Sequence, residues 1–491
     1  MRRATHWTRW VGCAAMGVMM LMLNVACVTI QREVKTTVSQ DLVDAAIAKV
    51  KPALVRIHVV ESDSSEGRRV KHEAAGSGVI VSPQGYVVTN HHVAGKAVRI
   101  WVTMPNREEL EAKLIGTDPM ADIAVLKIQP DKPTSFTFAR WGDSSKARVG
   151  DPVLALGSPL ALSQSVTRGI ISNTEMIMPT LWDGWRFSLD GEDVGSIVRW
   201  LGHDAEIFPG NSGGPLVNLK GEIIGINEIS LGLGGAIPGN LAREVSDTLI
   251  RDGQVARAYF GMLLQPLLKE DSDKKGVLIA SVFKGSPAAQ GGLISGDLLV
   301  AFNGEPVTAR FQEEIPPLNL RLASLPIGKE ALLTVVRGSE QKQLKVTPTT
   351  REKVLTPEEE FREWGITARN LSLWSQIEKS RATRDGVLVT SVRPGGPAGS
   401  AKPEIKEDDI IVKAGDIEIK NKVELTSATV EITKGHDEPV PTVVTFDRDK
   451  QRMITVVEVG IKDLEDPGLE VQKAWVPVET QVITRELAKA L

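Results

Sequence analysis

Cysteine is nearly absent from this 491-residue chain: Cys13 and Cys27 are the only two, and both lie in the first 30 residues. The rest of the chain can therefore form no disulfide, no cysteine-based zinc cluster and no cysteine nucleophile, and its stability rests on packed cores. Net charge is also small, at −4. So slight an imbalance sets up no field for nucleic acid, which argues against a nucleic-acid partner. Beyond the N-terminus, long apolar runs are missing too. In their place stand 44 glycines, 27 prolines and many short apolar runs, in a chain that is 42% hydrophobic and 24% charged. That is the make-up of a soluble, β-rich, turn-rich protein. Its length exceeds one hydrophobic core and calls for about three domains.

The N-terminus differs in kind. Arg2, Arg3 and Arg9 precede "WVGCAAMGVMMLMLNVAC", and no charge falls between Arg9 and Arg32. A basic start before an apolar core reads as an export signal. The run is also long enough to stay as a membrane anchor, and "NVAC" offers a third option, a lipoprotein signal acylated at Cys27. Under each option residues 1–30 carry the rest of the chain out of the cytoplasm, to the periplasm or cell envelope.

After a polar stretch, "DLVDAAIAKVKPALVRIHVV" reads as a short amphipathic helix, a stop at Pro52 and a strand. Close-spaced strands follow: "GSGVIVS", "GYVVTN", "KAVRIWVTM", "DIAVLKI", "DPVLALG" and "GEIIGINEI". Ser82-Pro83-Gln84-Gly85 joins the first two as a tight turn. In "KAVRIWVTM", Val98, Ile100 and Val102 alternate with Arg99, Trp101 and Thr103, the pattern of a half-buried strand. Short strands with turn signals indicate sandwich or barrel sheets rather than βαβ units. Past residue 255 the chain repeats itself: "GVLIASVFKGSPA" (276–288) aligns without a gap on "GVLVTSVRPGGPA" (386–398). These are two copies of one small module. A fainter echo links "RAYFGMLLQPLLKE" (257–270) to "KAWVPVETQVITRE" (473–486), so residues 463–491 are either the opening of a third module or a plain strand and helix packed on the second.

"PGNSGGPLVN" (209–218) is the most informative stretch. A serine hydroxyl becomes a nucleophile only when a base takes its proton and donors receive the oxyanion. The glycines around Ser212 permit a turn that aims the N–H groups of Gly210 and Ser212 at one point, so the backbone of Gly210, Asn211 and Ser212 is the candidate oxyanion hole. For the base, the chain past the N-terminal segment offers His58, His72, His91, His92, His203 and His436. His91 and His92 end a strand in the N-terminal half, where a two-barrel protease would carry its base. Extended backbone turns successive side chains to opposite sides, so only one of the pair can face the cleft. A carboxylate must then hold the base. Asp122 opens the apolar strand "ADIAVLKI", where an unpaired charge is costly, whereas Asp118 precedes a proline and reads as a turn residue.

"TNHHV", "ADIAVLKI" and "GNSGGPLVN", in the order His–Asp–Ser, together resemble the HtrA (Deg) family of trypsin-like serine proteases. The likeness covers roughly residues 40–460 and takes in "GSGVIVSPQGYVVTN", "VGDPVLALGSPL", "GIIS" and "GAIP". The family motif T-N-x-H-V puts His92 at the base and His91 at the variable position; Asp122 and Ser212 match the other two members. The resemblance implies a mostly β fold: a two-barrel chymotrypsin-like protease domain (31–250) followed by two PDZ domains (255–350 and 357–462). It implies an acyl-enzyme mechanism, no cofactor and no metal. Expected partners are unfolded or misfolded proteins and peptide ends, with assembly as trimers or multiples of them and membrane association through the N-terminus as an option. Peptide would add as a strand at Tyr259, Phe260, Gly261 and Met262 in the first module and at Trp364, Gly365 and Ile366 in the second. The bland alternative for these loops is a strand start with no ligand. It is stronger in the second module, where Asp408 replaces the glycine of "SGD".

Three departures bear on specificity. Glu206 and Phe208 stand in "DAEIFPGNS", where the family usually reads D-A-A-I-N-P-G-N-S. A carboxylate at Glu206 in the primary pocket would favour basic side chains. "GGAIP" puts Gly235, beside Gly234, where the family commonly has phenylalanine, which opens the pocket wall to change. Met176–Trp200, with Trp182, Trp185 and Trp200, is either a regulatory loop or a surface insertion. The competing function is a PDZ scaffold or holdase with an idle protease domain; a narrow protease cutting one membrane-bound partner would share the chemistry.

Overall fold

The helix Gln40–Val50 turns Val43, Ala46 and Val50 inward on one face and stops in a single tight turn that contains Pro52. This computed structural model describes residues 39–158, 164–178, 187–267 and 274–460; the export segment and the tail 463–491 lie outside them. From Leu54 the chain runs as strands. β1 (Leu54–Ser65), β2 (Arg68–Ile80), β3 (Tyr86–Thr89), β4 (Ala97–Thr103), β5 (Glu109–Asp118) and β6 (Ile123–Gln129) close a barrel in the order β1-β2-β3-β6-β5-β4. The turn expected at Ser82–Gly85 is present, with the Gly85 N–H donating to the Ser82 carbonyl at 3.0 Å.

One expectation for β4 fails locally. Ile100 and Val102 face the core, but Val98 is 57% exposed. On β1, Val60 pairs with Arg99 and the next residue, Glu61, with Ala97, so Val98 is left over as a bulge. A bulge breaks the two-residue alternation, and the pattern beyond it no longer predicts the face.

The second ring uses β8 (Pro152–Gly157), β9 (Ser165–Met176), β12 (Trp200–His203), β15 (Gly234–Pro238), β14 (Glu222–Ser230) and β13 (Pro215–Asn218), closed by the β13–β14 pairing. β7 (Arg140–Trp141) joins β14 in parallel, and the small hairpin β10 (Ser188–Leu189) and β11 (Glu192–Asp193) stands apart. Core residues such as Val55, Leu126, Leu154 and Ile226 belong to one apolar cluster shared by the two rings.

Each repeat forms a module with its own core. In the first, β16 (Ala258–Tyr259) pairs with β23 (Thr349–Thr350). β17 (Met262–Gln265), β18 (Val277–Val282), β19 (Leu298–Phe302), β21 (Ala331–Arg337) and β22 (Glu340–Val346) form a sheet in that order, with β20 (Glu305–Pro306) on β19. The second repeats the plan as β25 (Ile366–Asn370), β26 (Val387–Val392), β27 (Ile410–Ala414), β29 (Val440–Arg448) and β30 (Gln451–Val459), with β28 (Ile417–Glu418) on β27. Both modules lock the same corner with a buried aspartate gripped by an arginine fork, Asp297 with Arg337 and Asp409 with Arg448. Asp408 keeps the positive φ of Gly296, at +74° against +92°, so that replacement leaves the turn intact. The second module adds a strand with no counterpart among the described residues of the first: β24 (Glu359–Phe361) pairs with β25 along its outer edge. Among the described residues no helix is long and apolar enough to cross a membrane.

Candidate active site

β3 ends at Thr89, and the chain turns at once into a single helical turn, His91–Ala94. The expected separation of the two histidines is therefore made by a turn rather than by a continued strand. His92 Nδ1 lies 2.6 Å from Asp122 Oδ2, and the His92 backbone N–H donates to Asp122 Oδ1 at 2.9 Å. Asp122 is fully buried and sits at φ +49°, a left-handed conformation uncommon outside glycine. Asn90 Nδ2 donates to its carbonyl at 2.9 Å and so holds that turn in place. With Nδ1–H given to Asp122, the lone pair of His92 is on Nε2, which is the tautomer a general base needs. Burial opposes the charge on His92, but the charge and hydrogen bond of Asp122, with a contribution from Glu61, outweigh it and hold its pKa above the ordinary imidazole value.

Ser212 comes from the other ring. Its loop is pressed against β2: the Ser77 N–H donates to the Ser212 carbonyl at 2.9 Å and the Ser77 hydroxyl to the Gly210 carbonyl at 2.6 Å. Gly213, at φ +84°, is obligatory here, because a Cβ would meet the Ser77 carbonyl and the Thr89 hydroxyl, each at 2.2 Å. Phe208–Asn211 is a turn closed by the Asn211 N–H on the Phe208 carbonyl at 2.9 Å. Pro209 is its second residue and Gly210, at φ +101°, its third, which is the type II pattern. This corrects one member of the expected oxyanion hole: the Asn211 N–H closes the turn and cannot serve a substrate. The N–H groups of Gly210 and Ser212 have no acceptor among the described residues. The Ser212 hydroxyl donates to the Glu228 carbonyl at 3.2 Å.

Of the other candidate histidines, His436 is exposed in the second module, and three lie in the two rings away from the triad. His203 is fully buried, kept neutral chiefly by burial, with Nδ1 3.1 Å from the Ala205 carbonyl. His58 stacks on Trp101 at 5.5 Å, and His72 pairs with Glu61 and Asp63. Glu61, Asp63 and His72 bring metal-type ligand atoms within 4.8 Å of one another, but they already pair among themselves and Asp63 also pairs with Lys96. His91, to which the sequence assigns no task, has one. Its ring bridges Thr117 Oγ1 at 2.6 Å and Asp190 Oδ2 at 3.1 Å, tying the β10–β11 hairpin to the first ring. Beside that hairpin Phe187 sets its edge against the ring of His92, 6.3 Å between centroids.

Residues 76–226 match the family model of the trypsin-like peptidase domain and residues 278–315 that of the PDZ domain. A Pseudomonas putida (strain GB-1) protein named probable periplasmic serine endoprotease DegP-like is 33% identical over 387 residues, spanning 75% of this chain and 76% of that protein. The chain belongs to the HtrA (Deg) family of serine endoproteases. The like-named protein of Chlamydia trachomatis serovar D is 36% identical over 344 residues, or 66% of this chain and 64% of that one. Among solved structures, an HtrA-type protease AlgW with a tripeptide is 30% identical with a TM-score of 0.54, over 63% of this chain and 97% of that one.

In this HtrA protease the expected specificity residues differ in setting, with Glu206 at the surface and Gly234 and Gly235 buried on β15. Glu206 is exposed, its carbonyl accepting from Thr167 Oγ1 at 2.7 Å. The space left by the two glycines of β15 is filled: a Cβ on Gly234 would strike the His203 ring at 2.3 Å, and one on Gly235 would strike Met176 Cε at 2.6 Å. Met176 and Ile229 thus stand where a larger side chain on β15 would reach.

The two modules also part company at their peptide loops. In the first, the side chains of Tyr259 and Phe260 are buried. The backbone N–H groups of Phe260 and Gly261, however, have no acceptor among the described residues, and Met262 opens an edge strand. In the second, the Trp364 N–H donates to the Phe361 carbonyl and the Gly365 N–H to the Arg362 carbonyl, each at 3.1 Å. Trp364 is fully buried with Nε1 donating to Thr429 Oγ1, Ile366 is buried, and β24 covers the edge of β25. Trp364, Gly365 and Ile366 are therefore core and turn residues, not a ligand loop.

Proposed function

We propose that Ser212 is the nucleophile, His92 the general base and Asp122 the group that holds its tautomer, in an endoprotease that cuts unfolded polypeptides in the periplasm. The observation that carries this is the His92–Asp122 pair, closed at 2.6 Å on a carboxylate whose backbone is locked at φ +49°. A peptide carbonyl would displace the Ser212 hydroxyl from its contact with the Glu228 carbonyl and turn it toward His92 Nε2. Nε2 takes the proton as Oγ attacks. The N–H groups of Gly210 and Ser212 receive the developing oxyanion in the sense usual for acyl transfer. His92 then gives its proton to the leaving amine, and water hydrolyses the acyl-enzyme by the same exchange.

Residues 31–250 form the protease domain on this reading, and 255–350 a PDZ domain that takes chain ends on β17 with their carboxylate at the Phe260 and Gly261 N–H groups. The shared sheet order and the paired Asp–Arg corner support 357–462 as a second PDZ domain, one in which β24 already covers the edge of β25. Assembly into trimers or their multiples is part of the same proposal and is read by sedimentation. Digestion of a reduced, unfolded protein is the deciding test. The wild type should degrade it and Ser212→Ala should not; equal rates would leave a scaffold or holdase as the function.

A further inference from the structure

The sequence sets an acid against an apolar run twice: Asp122 just before β6, and Glu228 within "EIIGINEIS" on β14. Glu228 lies at a bulge, where β14 pairs Asn227 with Ala236 and Ile229 with Gly235 and leaves Glu228 between them. Bulges beside active sites re-aim side chains, and this one turns Glu228 inward, leaving it 5% exposed. There it touches two members of the triad. Its carbonyl accepts the Ser212 hydroxyl at 3.2 Å, and its carboxyl reaches hydrogen-bonding range of Asp122.

The two oxygens of that carboxyl are treated differently. Oε2 accepts the indole N–H of Trp200, itself fully buried. Oε1 is buried with no donor facing it. The other polar side chain beside this carboxyl is Asp122, whose oxygens accept two N–H groups of His92. Two carboxylates cannot both stay ionised at that range in a buried site; one proton between them satisfies both. We propose that Glu228 is a neutral carboxylic acid that donates its proton to Asp122, a positioning residue that spreads the charge of the triad aspartate and so keeps the basicity of His92 from rising further. Burial, and then the neighbouring Asp122 charge, push the Glu228 carboxyl well above the usual carboxylate range, in the same direction. On the far side of Asp122 stands His92, on which Glu61 also acts; His203, on the adjoining β12, is held neutral by its own burial.

This rests on His92 being the general base, and the test separates the two ideas. The acid limb of kcat/KM against a fluorogenic peptide is measured for full-length wild type, Glu228→Ala and Glu228→Gln. Alanine removes the donor, Asp122 becomes a stronger acceptor, and the limb should move up by about half a unit to one unit. Glutamine still offers an N–H donor and should leave the limb in place. An ionised Glu228 would give the opposite sign, with both variants moving the limb down, and that result overturns the proposal, as does a limb that moves in neither. Infrared spectroscopy at neutral pH needs no turnover: a protonated-carboxyl band lost in Glu228→Gln is expected, and its absence from the wild type overturns the proposal even if the alanine variant does not fold. Failure of the triad itself would show instead as hydrolysis that does not depend on Ser212.

Discussion

His91 and His92 are adjacent in sequence and opposite in task. His92 faces the cleft with 28% of its side chain exposed, whereas His91 is 4% exposed and spans Thr117 and Asp190. His92→Ala should remove turnover by a factor on the order of 10⁴–10⁶. His91→Asn, which loosens only the hairpin beside Phe187, should keep most of it. The two also differ in pH response. Only neutral Nε2 can take the Ser212 proton, and the pKa of His92 is raised, so kcat/KM should fall as pH drops through a point above the ordinary imidazole value. In His91→Asn that point should stay put, because the Asp122 contact that raises it is untouched. A kcat/KM–pH profile of each protein checks both. The proposed triad could be named from the sequence because its members sit in short motifs of fixed residue identity. Glu228 and the His91–Asp190 tie were not, since each is a meeting of side chains from separate strands. The rule that singled out Asp122, an acid in an apolar strand, applied equally to Glu228.

At the scale of elements, the strand list and the repeat were readable because alternation and self-similarity are local. Val98 escaped because a bulge is set by the partner strand, and the face of β4 changes there. The two PDZ-like loops show the same limit. Both open their modules, yet Phe260 and Gly261 keep N–H groups with no acceptor among the described residues while Trp364 and Gly365 spend theirs in turns. Hydrogen exchange with and without a peptide bearing a free C-terminus should separate them. Amides of β17 should gain protection when the peptide is added. Those of β25, paired on both sides already, should be slow from the start and unchanged. Protection gained in β25 would mean that β24 yields its place.

The whole molecule is tied together by contacts that the motifs do not announce. Asp118 does make the expected turn, its Oδ1 accepting the Met120 N–H at 3.2 Å, but its other oxygen pairs with Arg257 at the entry to the first PDZ module. Arg257 and Asp118 are 8% and 4% exposed. Asp118→Ala leaves that guanidinium buried without its partner, and should weaken the joint by about 3–5 kcal/mol. Calorimetry should show an earlier unfolding transition of the first module, with little change in the core of the second. Farther along, Arg351 pairs with Glu192 of the hairpin, and Trp374 of the second module sets its edge against Tyr259 and Phe283 of the first. The tip of the β1–β2 hairpin reaches the second module, the Gly67 N–H donating to Ser391 Oγ at 2.9 Å. Sequence reading found the parts; these joints needed three dimensions.

β24 has a consequence for how a ligand would compete. It is joined to β25 by four residues, so it behaves as a competitor fastened beside its own receptor, at an effective concentration of roughly millimolar or more. A free chain end, present at far lower levels, would have to out-compete a strand that never diffuses away. The second module is in that sense already occupied by its own chain, and on the proposed reading peptide capture would fall to the first.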